Sequence, residues 1–208
     1  SNGPELMTWA VKLLQENFNN VPLALDTANK AAIEAGIAVY NRDKGKPIVN
    51  SADAGDRLSY VDLAAANDAI VIALCSKGAV PGSLDEIMGF CQELLEHGMM
   101  LGMEPTDMWF DPLFLVAKGM QDKQQQILDA IKGFAEMGLN STGGLSNVSN
   151  GMPKELRPIM DSAMLAMSMA NGLTSAIVNP CDRRLIETMK SCDILKDNYM
   201  YADSYLDL

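Results

Sequence analysis

Histidine is almost absent from this 208-residue chain, His97 being the single one. The four cysteines, Cys75, Cys91, Cys181 and Cys192, stand far apart with no CxxC pair. Zinc needs three or four such ligands gathered at short spacing, so no metal centre is expected. Cationic residues are also few, 16 Lys and Arg against 27 Asp and Glu, for a formal net charge of -11. Nucleic-acid phosphates are held by clustered Lys and Arg, and no cluster occurs, which argues against a nucleic-acid partner. Apolar runs such as residues 69–75 fall far short of the ~20 residues of a membrane span. No charged n-region precedes a signal-like core, so a cytoplasmic location is expected. No stretch rich in Pro, Ser or charge divides the chain, and one domain is expected over residues 4–208, with Ser1-Asn2-Gly3 read as a cloning remnant.

What is present alternates. Leu6, Trp9, Ala10, Leu13, Leu14 and Phe18 recur at helical spacing, so the chain opens on a helix. Short apolar runs over residues 21–25, 47–49, 69–74 and 108–110 read as buried strands, and residues 141–145 and 175–178 as two more. Between and after them, helical periodicity covers residues 29–39, 58–66, the stripe Leu84, Ile87, Met88, Cys91, Leu94 and Leu95, then Ile127 to Ala135, residues 153–171, and a helix from Asp182. Gly172 is expected as a C-cap. Cys91 reads as a small buried hydrophobe, and His97, beside Gly98, as a cap on the last carbonyls of its helix.

Six strands, each followed by a helix, imply a parallel sheet covered by helices: a doubly wound sheet or a closed barrel. A doubly wound dinucleotide binder carries glycines in the turn after its first strand, and Leu25-Asp26-Thr27-Ala28-Asn29 has none. A barrel instead places polar residues at the carboxyl ends of many strands. Asp26, Asn50, Asp111 and Asn147 each stand where an apolar run stops, so the fold class expected is α/β, of the (β/α)8 TIM-barrel type. Eight strands close such a barrel and about six are present, so N-terminal truncation is expected.

Four segments in this order, Leu25-Asp26-Thr27-Ala28-Asn29, Val49-Asn50-Ser51, Phe110-Asp111-Pro112-Leu113 and Gly144-Leu145-Ser146-Asn147-Val148-Ser149, resemble the methyltetrahydrofolate:corrinoid/iron-sulfur protein methyltransferase family. The resemblance runs from about Pro4 to the C-terminus and takes in Arg157-Pro158 and Cys181-Asp182. It implies a pterin pocket in which Asp111 accepts two hydrogen bonds from N3-H and the 2-amino group, an arrangement that suits a carboxylate. Asp26 and Asn50 are implied on the N1 and N8 side, Ser146 at the pocket, and Asn147 as the donor aimed at N5. The implied substrate is 5-methyltetrahydrofolate or tetrahydrofolate, and the implied cofactor is cobalamin, a corrinoid carried by a partner protein. A homodimer is implied as well.

Singly, an Asp or Asn at a strand end ordinarily caps the helix or turn that follows. Lys77, Lys118 and Arg157 could meet the folate glutamate tail, but solvated surface charge is the plainer reading. Met160, Met164 and Met167 read as core, and Met99, Met100 and Met103 as a candidate docking surface for the corrinoid protein. Three rival readings stay open: a dihydropteroate synthase, the folate domain of a methionine synthase, and a catalytically incompetent or purely assembly subunit. The first expects a Ser-Arg-Lys run where this chain has Leu145-Ser146-Asn147.

Overall fold

The computed structural model describes residues 2–18 and 21–206, with the side chain of residue 44 left aside. The chain forms two compact units, Ser1–Pro81 with Glu86–Phe110, and Gly82–Asp85 with Asp111–Leu208.

The first unit begins with helix α1 (Gly3–Asn17), followed by β1 (Ala24–Asp26), α2 (Lys30–Ala38), β2 (Ile48–Asp53), α3 (Ser59–Ala66), β3 (Ile70–Leu74), α4 (Leu84–Met100) from Glu86 on, and β4 (Met108–Asp111) up to Phe110. The four strands are neighbours in chain order. β1 pairs with β2 and β2 with β3, both parallel. Leu25, Val49 and Val71 are Cα partners across these strands and are at most 2% exposed. Alternation along each strand therefore sends this row into the layer beneath the helices and the next row, with Asp26 and Asn50, to the opposite face.

Glycines let helices approach closely. A Cβ on Gly36 of α2 would lie 2.7 Å from Met7 Cγ of α1, and one on Gly98 of α4 would lie 2.8 Å from Met108 Cε of β4. Gly98 is thus a packing glycine inside α4 and not its terminator. The helix ends at Gly102, whose φ is +85° and whose N–H donates to the Met99 carbonyl. The expected capping by His97 is corrected accordingly: its Nε2 lies 3.1 Å from Asp62 Oδ1 and ties α4 to α3. Cys91 is fully buried, as its place on the stripe requires.

The second unit holds α5 (Gln124–Glu136), β5 (Asn140–Ser141), α6 (Arg157–Ala170), α7 (Arg183–Leu195) and the short α8 (Asp203–Leu206). Its core gathers Phe114, Ile127, Ile131, Leu145, Leu165 and Leu185, among others. Full burial of a side chain of this size contributes ~1.5–3 kcal/mol. The C-cap of α6 is Asn171, one residue before the expected Gly172, which follows it at φ +101° while the Leu173 N–H reaches the Ser168 carbonyl at 3.0 Å. Asp182 caps α7 by accepting from the Leu185 N–H.

Two expected strands are corrected. Of the run 141–145 only Ser141 lies in a strand, β5, because Gly143-Gly144 leads into a 3-10 helix, Leu145–Ser149. Residues 175–178 contribute a single bridge, Ile177 to Gly144, in place of a sixth strand. Among the described residues no helix is long and apolar enough to cross a membrane.

Candidate functional site

The first unit presents Asp26 and Asn50 side by side, as Cα partners of β1 and β2. Partners in parallel strands point to the same face. Asp26 is exposed and Asn50 half-buried. Neither acts as the cap that a strand-end residue commonly provides. The cap on α2 is Asn29, whose side chain accepts from the Ala32 N–H at 3.3 Å, while Thr27 Oγ1 accepts from the Asn29 N–H. The loop is further held by the Tyr60 hydroxyl, which donates to the Ala28 carbonyl at 2.8 Å.

Asn50 was expected at the end of its strand and lies within it, since β2 runs to Asp53. The register skips Ser51, with Asn50 opposite Ile72 and Ala52 opposite Ala73. Asp53 performs the structural work at the strand's end. It accepts from the Gly55 and Arg57 N–H groups and from the Arg57 guanidinium at 2.8 Å. Burial opposes ionisation of Asp53, but the Arg57 guanidinium and these backbone donors outweigh it and hold the carboxyl below its usual range.

The second unit carries Asp111, the last residue of β4, which is 9% exposed. Its Oδ1 accepts from the Leu113 N–H at 2.8 Å. Leu113 has φ +68°, a left-handed conformation that costs a leucine ~1 kcal/mol and that turns its N–H back onto the carboxylate. Burial pushes the Asp111 pKa up to about 7 despite the N–H groups of Leu113 and Phe114, which pull it down. A buried carboxyl poised there is a mark of sites that bind or do chemistry. Gly143 stands against this carboxyl, a role that no local sequence pattern marks. A Cβ on it would collide with the Phe114 ring and lie 2.9 Å from Asp111 Oδ1.

Ser146 and Asn147 are exposed on the 3-10 helix. That helix is fixed by its own bonds: the Asn147 N–H donates to the Gly144 carbonyl and the Asn150 N–H to the Asn147 carbonyl, each at 3.1 Å. Asp161 of α6 is a further buried carboxyl, outside the strand-end pattern. It is 8% exposed, and its position four residues before Leu165 on the buried stripe was the available signal. Of the cations considered for a folate tail, Lys77 pairs with Glu93 at 2.9 Å and Arg157 Nε donates to the Met152 carbonyl, while Lys118 is exposed. Met99 and Met100 are exposed, but Met103 is buried and leaves the suggested docking surface without its third member.

In barrels of alternating strands and helices, site residues come from the carboxyl ends of several different strands. The family described as pterin binding enzyme matches residues 2–179, and the chain belongs to it. Among curated proteins, the methylcorrinoid:tetrahydrofolate methyltransferase of Eubacterium limosum is 23% identical over 208 residues, covering 97% of this chain and 74% of that protein. Among solved structures, Yersinia pestis dihydropteroate synthase with a pterine-sulfa conjugate aligns with TM-score 0.74 at 17% identity, over 93% of this chain and 76% of that one. Coxiella burnetii dihydropteroate synthase in complex with pteroic acid aligns with TM-score 0.76 at 15% identity, over 94% and 74%. At such identities the solved structures speak to the fold alone, which is the (β/α)8 TIM-barrel type.

Proposed function

We propose that this chain is a methyltransferase that moves a methyl group between N5 of tetrahydrofolate and the cobalt of a corrinoid carried by a partner protein. The observation that carries the pterin half of this reading is Asp111, a buried carboxyl with its pKa pushed up to about 7 at the end of β4. A pterin offers two parallel donors, N3-H and the 2-amino group, and a carboxylate that accepts both gains a charge-assisted bidentate pair. The transfer half is supported by the Eubacterium limosum relative and by the Leu145-Ser146-Asn147-Val148-Ser149 run.

In this reading Asp26 and Asn50 serve the N1 and N8 side of the ring, Asn50 offering both a donor and an acceptor. Ser146 and Asn147 serve the N5 side. Breaking the bond between N5 and the methyl carbon returns an electron pair to N5, and an amine leaves poorly unless that pair is met by a donor. Asn147 meets it with its amide, which stabilises the developing charge more than it stabilises the bound substrate. An amide releases no proton near neutral pH, so Asn147 acts by electrostatic positioning and not as a general acid. The corrinoid supplies the cobalt centre that donates or accepts the methyl group. A cytoplasmic setting and a homodimeric assembly belong to the same reading.

The test is methyl transfer from 5-methyltetrahydrofolate to a reduced corrinoid, followed by the corrinoid's visible spectrum, for the native chain and Asn147→Ala. The expected result is transfer by the native chain and a loss of roughly 10²–10³-fold in kcat for the variant, with substrate affinity changed far less. No transfer by a chain that binds methyltetrahydrofolate would reduce the reading to pterin binding.

A further inference from the structure

Residues 174–178 of the second unit are hydrogen-bonded along one side only. The Ser175 and Ile177 N–H groups donate to the Ser141 and Gly143 carbonyls at 3.0 and 2.8 Å, and the Leu145 N–H donates to the Ile177 carbonyl at 3.2 Å. The N–H groups of Thr174, Ala176 and Val178 alternate to the other side and have no acceptor among the described residues. Ala176 and Val178 also line a cavity of about 420 Å³, walled by Leu165 and Met169 of α6 and Leu185 and Met189 of α7. A row of unpaired backbone donors beside an apolar groove receives an added strand: main-chain bonds supply affinity and the groove selects the side chains. The occupant must therefore be extended and bring apolar surface with it.

The chain itself carries an edge of the matching kind. β1 pairs with β2 alone. The Ile48 N–H reaches the Leu23 carbonyl at 3.0 Å, so Leu23 and Leu25 turn their backbone groups toward β2, while Ala24 and Asp26, both exposed, turn theirs outward. Helix α1, which precedes β1, exposes Leu6, Trp9 and Leu13 at helical spacing, 61%, 61% and 41% accessible.

A β1 laid parallel to residues 174–178 would set α1 beside α7 and running the same way, since each helix runs antiparallel to its strand in a parallel α/β layer. Lys12 and Glu16, one turn apart on α1, then meet Asp193 and Lys196 on the groove's rim in the same order and with opposite sign. We propose that two copies of this chain pair reciprocally, the β1 edge and α1 of each seated on residues 174–178 and the α6–α7 groove of the other. Such a pairing is closed, because each contact is made twice about one two-fold axis. It goes beyond the homodimeric assembly named above by giving it a face, and it needs none of the methyl-transfer chemistry.

Sedimentation equilibrium of the full chain tests this. The native chain is expected to be dimeric at ~10 μM. Trp9→Glu charges the exposed stripe and Met189→Glu charges the groove, and each alone should weaken the dimer by at least about tenfold. An equimolar mixture of the two should associate more tightly than either variant, because the mixed dimer keeps one of its two contacts intact. Ala176→Pro, which removes an outward N–H at an open edge, should act as Met189→Glu does and keeps the test open if Met189→Glu does not fold. A native chain still monomeric at ~100 μM, a dimer indifferent to Met189→Glu and Ala176→Pro, or a mixture no tighter than its components overturns the proposal. Pairing of α1 with α1 would give the second of these results. Loss of methyl transfer in a chain that dimerises as described would count against the proposed function alone.

Discussion

Asp111 and Gly143 approach so closely that a Cβ on Gly143 would stand 2.9 Å from Asp111 Oδ1 and collide with the edge of the Phe114 ring. Gly143→Ala is therefore expected to displace the carboxyl and the ring, at a cost of ~1–3 kcal/mol in stability, the usual range for overpacking. Urea unfolding checks this against Gly144→Ala, whose Cβ meets only the flexible end of Asn147 at 3.3 Å. A Gly143→Ala protein as stable as Gly144→Ala would contradict the close approach.

The Asp111 carboxyl links stability and ligand affinity to pH with opposite signs. Its pKa is about 7 in the folded chain against 3.8 for a free aspartate, so the folded state holds a proton that the unfolded state has released. Stability conferred by that proton is fully present below 3.8, declines as pH rises above it, and is gone above about 7. Pterin binding needs the ionised form, so affinity should rise with pH and level off above about 7, by up to about tenfold per unit below it. Asp111→Asn should flatten both dependences. Urea midpoints and binding titrations at a series of pH values, taken as differences from that variant, provide the comparison.

Much of this fold is legible in the order of residues, since buried parallel strands read as short apolar runs and α1 to α7 as periodic stripes. Asp26 and Asp111 end their strands as expected, because Leu25 and Phe110 are the last apolar members of their runs. The end of β2 was misplaced because Asn50-Ser51 interrupts an otherwise apolar strand, hiding Ala52 and Asp53 beyond it. The 3-10 helix at Leu145–Ser149 was read partly as strand because its buried Leu145 and Val148 follow a glycine pair that gives no directional signal. The pairing of His97 with Asp62 joins residues 35 apart and follows from how α3 and α4 pack, which no local pattern encodes.

Asp53 is expected to be a stability residue and not a binding one. Its folded pKa is lowered, so its contribution is present above the unfolded value of 3.8 and is lost as pH falls through the folded value. Asp53→Ala removes the acceptor for two backbone N–H groups and leaves the Arg57 guanidinium unpaired, which should cost ~1–3 kcal/mol near neutral pH and much less in acid. Thermal melts at pH 7 and pH 3 distinguish this from a pH-independent packing loss.

Two glycines of α4 should respond oppositely to the same change. Gly89 faces open space, so Gly89→Ala should stabilise by ~0.5–1 kcal/mol through helix propensity. Gly98→Ala should destabilise, because its Cβ would meet Met108 Cε at 2.8 Å, the far end of a side chain buried in β4 with little room to yield. Chemical denaturation of both variants decides it, and a stabilised Gly98→Ala protein would count against the packing described.

The central claim is that Asp111 holds a pterin, and calorimetric titration with 5-methyltetrahydrofolate tests it most directly. Micromolar binding is expected for the native chain, with a loss of at least a hundredfold in Asp111→Ala, in line with removal of a charge-assisted bidentate pair. Folded Asp111→Ala protein that binds as tightly as the native chain would contradict the account.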